Sequence, residues 1–289
     1  MRLRMDRART RRPGGACVKA SRPPVFAYAA TPPMPAALPL SGKNALVTGG
    51  SRNIGRGIAE RLASDGAGVA IGYHGSSGDA EDALAALRAA MPEDGDAPAP
   101  TALRADLSDS AEAERLFDEA ADHFGAAPTV LVHNAGAQGH PIPFADTEPE
   151  DLAQFMDINA RGSFYVLREA ARRLPRGGRI VAVTSSVTRQ MPARLGAYSA
   201  SKAAANAMVQ TLAKEVGERG ITVNGVMPGP TKPEEQIGAE AQDAEDAKLS
   251  VFGRVGRPAD VAPVAAFLAR EEARWVTGNL ILASGGAYL

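Results

Sequence analysis

Tyr198 and Lys202 stand four residues apart in AYSASKAAANAMVQTLAKEV, and Ser185 precedes the tyrosine by thirteen residues. The stretch is rich in Ala, Leu, Lys and Met, a composition that favours a helix. Residues four apart on a helix share a face, so the Lys202 ammonium is expected near the Tyr198 phenol. A free tyrosine titrates near pH 10, and a neighbouring positive charge favours its ionised form. A phenol tuned in this way exchanges a proton with a carbonyl or alcohol oxygen near neutral pH. Ser185 adds a hydroxyl able to hold that oxygen. An ordinary helix with a half-buried tyrosine and a solvated lysine shows the same spacing, so the pair gains meaning only from the rest of the chain.

Residues 44–57 read NALVTGGSRNIGRG. The short apolar run Ala45–Val47 predicts a buried strand, and IAERLASDG predicts a helix. Strand, glycine-rich turn and helix start together make a dinucleotide-binding unit. Gly49 permits the tight turn, and Gly55 lets the backbone approach a pyrophosphate. The first N–H groups of the helix favour the phosphate charge. A plain strand-to-helix connection is the competing reading, and the turn's place after the first strand favours the nucleotide.

Thr48-Gly49-Gly50-Ser51-Arg52-Asn53-Ile54-Gly55, His133-Asn134-Ala135-Gly136, Asn159, Ser185, Tyr198-x-x-x-Lys202 and Pro228-Gly229 follow one another in a fixed order. With these motifs the chain resembles the short-chain dehydrogenases/reductases over residues 41 to 289, in the branch similar to 3-oxoacyl-[acyl-carrier-protein] reductases. The resemblance implies one α/β domain, a Rossmann-type doubly wound parallel sheet of about seven strands. It implies catalytic roles for Asn159, Ser185, Tyr198 and Lys202. Gly49, Ser51, Arg52, Asn53, Ile54, Gly55, Tyr73, His74, Ser76, Asp106, Leu107, Asn134, Ala135, Gly136, Tyr198, Lys202, Pro228, Gly229 and Thr231 are the expected cofactor contacts.

The chain departs from the family pattern in places. Asn53 replaces the middle glycine, and asparagine tolerates left-handed backbone. His133 replaces the first Asn of Asn-Asn-Ala-Gly; at the end of an apolar strand it reads as structural rather than as a metal ligand, and no metal is expected. The family's Thr four residues past Pro-Gly is Pro233 here, with Thr231 two residues earlier, so the group that holds the nicotinamide amide is open. Ser284-Gly285-Gly286 replaces Asp-Gly-Gly.

Enzymes that prefer NAD carry an acid at the end of the second strand, about twenty residues past the glycine turn. In GVAIGYHGSS, Tyr73 and His74 occupy the strand's end, and the first acid is Asp79, already in the next helix. Arg52 can pair with a 2′-phosphate, and Ser76 and Ser77 can add hydrogen bonds; a solvated loop charge is the plain alternative for Arg52. NADP is the expected cofactor. Asp106, by resemblance, contacts the adenine edge; otherwise it starts a helix, a role open equally to Ser108 and Asp109.

The first forty residues carry eight basic side chains, one acid and many prolines, without helical or strand period. They read as disordered. An organelle-targeting peptide, a nucleic-acid or membrane-binding arm, and a true start at Met34 are the open explanations. Setting these residues aside leaves 24 of the 32 basic and 32 of the 33 acidic side chains, a net of −8. The domain is therefore acidic, against nucleic-acid binding. No apolar run suits a membrane span. The single Cys17 forms no intramolecular disulfide, which suits a reducing compartment. The cytoplasm is expected, or an organelle if residues 1–33 are a transit peptide.

Strands are predicted near 44–48, 68–73, 101–104, 129–133, 179–184, 221–226 and 279–282. Helices are predicted near 55–65, 78–91, 109–124, 149–173, 197–219 and 259–270. Thr147 and Glu150 have capping-box spacing for the fourth helix.

The implied reaction is carbonyl reduction with hydride from NADPH. Tyr198 donates the proton, Ser185 holds the oxygen, with Ser186 its rival, and Lys202 lowers the tyrosine pKa and holds the ribose. Asn159 positions Lys202 through a water; the alternative is a polar residue inside a helix. Residues 186–197 and 230–252 flank the pocket, and the acidic stretch within the second is a lid or a solvated helix. Arg176 and Arg219 match carrier-docking positions, while the acidic domain argues against an acidic carrier. The expected substrate is an acyl thioester or a small ketone or quinone. An NAD-dependent alcohol dehydrogenase and a non-catalytic binding protein are the alternatives. Helices 149–173 and 197–219 and the closing segment with Trp275 resemble subunit contacts, which implies a homotetramer, or else a homodimer; Trp275 as simple core is the other reading.

Overall fold

The computed structural model describes residues 38–93, 95–238 and 242–287. Seven strands form one sheet: β1 (Asn44–Thr48), β2 (Gly68–Tyr73), β3 (Thr101–Arg104), β4 (Val130–His133), β5 (Arg179–Val183), β6 (Thr222–Pro228) and β7 (Leu280–Ala283). The helices are α1 (Asn53–Ser64), α2 (Ser77–Ala90), α3 (Ser110–Phe124), α4 (Pro149–Phe155), α5 (Gly162–Arg173), α6 (Val187–Gln190), α7 (Gly196–Glu215), α8 (Gln242–Leu249) and α9 (Pro258–Ala269). All pairings are parallel, in the order β3-β2-β1-β4-β5-β6-β7.

Both faces of this sheet are apolar, which is why its strands read as short unbroken apolar runs. Ala45 and Val47 of β1 face one layer while Leu46 faces the other; Val69 and Ile71 alternate with Ala70 in β2 in the same way. The first layer is built from Ile58 and Leu62 of α1, Leu87 of α2, and Val261 and Leu268 of α9. The second is built from Leu116 and Phe117 of α3, Val166 of α5 and Val209 of α7. Each such fully buried side chain contributes about 1.5–3 kcal/mol.

Local signals set the helix ends. Asp109 caps α3 by accepting from the Ala111 N–H at 2.8 Å, and Gly125 ends it in left-handed backbone. For α4 the expected Thr147–Glu150 box is displaced by one residue. Pro149 takes the first helical position, which makes Glu148 the cap; its N–H donates to Asp151 at 3.2 Å. Thr147 Oγ1 instead donates to the Pro143 carbonyl.

The single helix expected over 149–173 is interrupted by a π-helical turn, Met156–Arg161, between α4 and α5. The short α6 was not expected. The folded unit also begins before residue 41: Leu40 is buried in the first layer, and its N–H donates to Asp65 O. Trp275 is 95% exposed and is not core. Among the described residues no helix is long and apolar enough to cross a membrane.

The strand order runs one way from β1 to β3 and the other way from β4 to β7. The carboxyl ends of β1 and β4 therefore open a crevice where the connections diverge, the place where such sheets bind ligands.

Candidate active site

The glycine-rich turn leaves β1 at Thr48 and enters α1 at Asn53. Asn53 has φ 49°, the left-handed conformation expected of it. At Gly55 a methyl group would lie 2.0 Å from the Gly49 carbonyl oxygen and 2.4 Å from Asn134 Nδ2, so glycine alone fits. Asn134 Nδ2 donates to that same Gly49 carbonyl at 2.9 Å, clamping the turn to the end of β4. Arg52 is exposed at the N-cap of α1 and has no ion-pair partner among the described residues. Ser51, Arg52 and Asn53 open onto a cleft of about 1040 Å³, whose far wall includes Gln138, Glu234 and Arg257.

Beyond β2, His74 Nε2 lies 3.8 Å from Asp106 Oδ2, both exposed. Asp106 accepts from the Ser108 hydroxyl at 2.7 Å and the Ser108 N–H at 3.0 Å, and these bonds hold its carboxyl below the usual range. Capping of α3 falls to Asp109, which leaves Asp106 facing the crevice side. Leu107 runs beside the start of α5, close to Gly162. Ser76 caps α2, its Oγ accepting from the Asp79 N–H at 3.1 Å, and its own proton is left to donate outward. Asp79 lies in the first turn of α2 and lines the same cleft as Arg52. Sequence reading missed Arg104. It reaches this site because β3 pairs with β2 so that Arg104 sits beside Tyr73, and its Nε donates to the His74 carbonyl. His74, Arg104, Asp106, Glu112 and Arg115 enclose a cleft of about 320 Å³. Only the strand pairing reveals that neighbour.

Ser185 follows β5, and Tyr198 and Lys202 lie one turn apart near the start of α7. The Ser185 hydroxyl faces the Tyr198 phenol. The Ser186 N–H donates to the Pro228 carbonyl, and Ser186 leads into α6. The phenol ring packs edge-on against Phe155, centroids 5.8 Å apart. Burial raises the Tyr198 pKa, and the Ser185 hydroxyl offsets this only in part. The expected lowering by Lys202 is not found, because the ammonium points elsewhere. It converges with Asn159 on Gly136, where a methyl group would lie 2.7 Å from Asn159 Oδ1 and 2.9 Å from Lys202 Nζ. Burial brings Lys202 down to about 8.

Asn159 is fully buried in the π-helical turn and is held on both ends of its amide. Its Oδ1 accepts from the Ala137 N–H at 2.8 Å, and its Nδ2 donates to Ser201 Oγ at 3.1 Å. An uninterrupted α-helix would give this side chain a different phase, so the π turn is what delivers it; such turns recur at functional sites.

Pro228 and Gly229 end β6 at the same rim. Thr231 Oγ1 donates to the Gly229 carbonyl at 2.9 Å, and Pro233, in the family's threonine position, starts a 3₁₀ turn. Past it, Lys232 Nζ pairs with Asp243 Oδ1 at 2.6 Å, and Asp243 also accepts from the Gly238 N–H at 2.7 Å. Asp243 is buried, so the acidic stretch is anchored inward and is not a wholly solvated helix.

The turn, the α1 N-terminus and Arg52 line one cleft, and the Asn159–Lys202 pair meets at Gly136, two residues past the Asn134 that clamps the turn. This chemistry suits a dinucleotide: backbone N–H groups and a free guanidinium for phosphate, and an ammonium for ribose.

A family model described as enoyl-(acyl carrier protein) reductase matches residues 49–288. The chain is 40% identical over 257 residues to an NADPH-dependent aldehyde reductase-like protein, chloroplastic, of Arabidopsis thaliana, across 86% of this chain and 95% of that one. It is 37% identical over 266 residues to a versicolorin reductase of Emericella nidulans, across 86% of this chain and 97% of the relative. A crystal structure of a short chain dehydrogenase from Burkholderia cenocepacia in complex with NADP superposes with a TM-score of 0.79 at 36% identity, covering 87% of this chain and all of that one. The chain belongs to the short-chain dehydrogenase/reductase family.

Proposed function

We propose that this protein reduces a small carbonyl compound, an aldehyde or ketone, to the alcohol with NADPH. The observation that carries the reading is Ser185 facing Tyr198, with Lys202 and Asn159 converging on Gly136. When bound, NADPH supplies the hydride that adds to the carbonyl carbon. Ser185 Oγ hydrogen-bonds the carbonyl oxygen and stabilises its developing charge. Tyr198 gives its phenolic proton to that oxygen; burial keeps the phenol protonated at neutral pH, the state a reductase requires. Lys202 Nζ holds the ribose side of the site, and Asn159 positions Lys202 beside Gly136. Arg52, with His74 and Ser76 beyond it, receives the 2′-phosphate, and β2 ends in Tyr73 rather than in an acid. The relatives point the same way: one is named an NADPH-dependent reductase-like protein, and one structure holds NADP.

A 3-oxoacyl thioester on an acidic carrier is the rival substrate. It needs free basic groups at the rim. Arg219 is spent instead on the carbonyls of Ala171 and Leu174 at the end of α5, and Arg176 donates to the Glu218 carbonyl at 2.9 Å. These bonds cap a helix C-terminus and favour the small-molecule reading.

The test is NADPH consumption against aldehydes, ketones, quinones and 3-oxoacyl thioesters, with NADH in parallel. The expectation is turnover of free carbonyl compounds with NADPH preferred, and loss of nearly all of it in Tyr198→Phe with NADPH binding kept. Turnover confined to carrier-bound thioesters would replace the substrate assignment. NADPH binding with no turnover of any carbonyl would favour a non-catalytic protein, and an NADH preference an alcohol dehydrogenase.

The assembly we propose is a homotetramer, with a homodimer next, paired through α4, α5 and α7 and through the segment around Trp275. Exposed Phe164 and Trp275 support it, and light scattering of the wild type and of Trp275→Ser tests it. The compartment we propose is the cytoplasm for a chain started at Met34. Residues 1–37 lie outside the described residues. Fusing residues 1–33 to a fluorescent reporter shows whether they redirect it to an organelle.

A further inference from the structure

His133 stands where the family's motif carries asparagine, and it is buried at the end of β4. Its surroundings form a directed chain of hydrogen bonds. Thr48 Oγ1 accepts from the N–H groups of Asn134 at 3.1 Å and Ala135 at 3.2 Å. With both lone pairs engaged, the Thr48 proton is given to His133 Nδ1, 2.9 Å away. The imidazole is thereby fixed as the tautomer protonated on Nε2. That N–H donates to Ser163 Oγ at 3.0 Å, and the Ser163 hydroxyl donates to the Asn159 carbonyl at 2.5 Å. The direction continues across Asn159: its Nδ2 donates to Ser201 Oγ, whose hydroxyl donates to the Tyr198 carbonyl at 2.7 Å.

The π-helical turn has forfeited the regular α-helical ladder at the residue it must present most accurately. We infer that His133 is a positioning residue for the reaction: through Ser163 it holds the backbone of Asn159, and so ties the nucleotide-side end of β1 to the helix that carries Tyr198 and Lys202. The inference rests on the assignment of Asn159, Tyr198 and Lys202 to the reactive site. Asparagine at 133 reaches Thr48, because its amide matches the Nδ1 position, and stops short of Ser163. An imidazole spans both.

The experiment compares His133→Asn, Ser163→Ala, Ser163→Thr and the double variant His133→Asn/Ser163→Ala, in the full chain. Each is measured for kcat and KM on one aldehyde or ketone that the wild type turns over, and for NADPH affinity by fluorescence titration. His133→Asn and Ser163→Ala are each expected to lower kcat about 10-fold with NADPH affinity unchanged, as a small misplacement of a reactive group does. Ser163→Thr, which keeps the hydroxyl, is expected to retain wild-type kcat. The double variant is expected to be no worse than either single, since both break one chain. Wild-type kcat in both single variants, losses that multiply in the double, or a parallel fall in NADPH affinity would each overturn the inference. NADPH binding doubles as the check that each variant is folded. A wild type without carbonyl turnover would refute the proposed function itself, an outcome separate from these.

Discussion

The backbone of Gly139 lies flat against the ring of Tyr198: a methyl group on Gly139 would sit 2.5 Å from Tyr198 Cδ1 and 2.6 Å from Cγ. The 139–142 segment is held there from outside, because the Ile142 N–H donates to the Arg194 carbonyl at 2.7 Å and His140 packs on Phe155 with centroids 5.5 Å apart. The ring of Tyr198 is thus confined between Phe155 and a glycine.

Gly139→Ala is accordingly expected to push the phenol off Ser185. The loss expected in kcat is about 10- to 100-fold, the range a displacement of roughly an ångström produces, with NADPH affinity unchanged. Steady-state kinetics with a parallel binding titration decide it; wild-type kcat would show that the 139–142 segment yields instead.

Lys202 is expected to destabilise the NADP-free protein near neutral pH. Burial lowers it from 10.5 to about 8, so between those values the unfolded chain binds more protons and stability rises with pH. Below pH 8 the full cost, up to about 3 kcal/mol at 1.36 kcal/mol per unit, is present. Lys202→Met should therefore be more stable than wild type at pH 7, by urea unfolding without cofactor, and should lose that advantage by pH 10.5 while turning over no substrate. An advantage that grows with pH contradicts the burial of the ammonium.

His133 has the matching effect on the acid side. It is buried and neutral, drawn down from 6.5 to about 3 by burial and then by the Lys202 charge. Below pH 6.5 the unfolded chain takes up a proton that the fold refuses, so stability falls by about 1.4 kcal/mol per pH unit until pH 3. His133→Asn should show a shallower decline between pH 6 and 4 than wild type. Equal slopes in acid unfolding curves would place the sensitivity in other groups.

Arg52→Ala should raise KM for NADPH about 10-fold or more and leave KM for NADH nearly unchanged. A charge-assisted bond to phosphate is worth roughly 1.5–3 kcal/mol, and Arg52 has no other ion-pair partner among the described residues that would compensate. Equal changes for both cofactors would mean that Arg52 supports the turn itself and not the 2′-phosphate.

Much of this was legible in order of residues alone. The strands stand out because a sheet covered on both faces needs unbroken apolar runs, as in Ala45–Val47 and Ile180–Val183. The glycine turn was legible because Gly55 has room for no side chain and Asn53 adopts the backbone that glycine usually takes. The Tyr198–Lys202 spacing survives translation into space because both lie on one helix, where sequence distance and physical distance are linked.

What the chain could not declare by itself are relationships between elements. The π-helical turn at Met156–Arg161 has no local sequence signature, since its register is set by the bonds Asn159 makes to Ala137 and Ser201 on other segments. Arg104 joins Tyr73 only through strand pairing. Arg219 reads as a docking cation until the fold turns its guanidinium onto the end of α5. The pKa of Tyr198 follows the same division: spacing alone predicts a lowering by Lys202, but packing buries the phenol and directs the ammonium toward Gly136. Residue order thus determined the elements and the reactive set, because propensity and periodicity act over a few neighbours. Tertiary packing decided which groups face each other and how they titrate, because burial and long-range bonds exist only once the layers have closed.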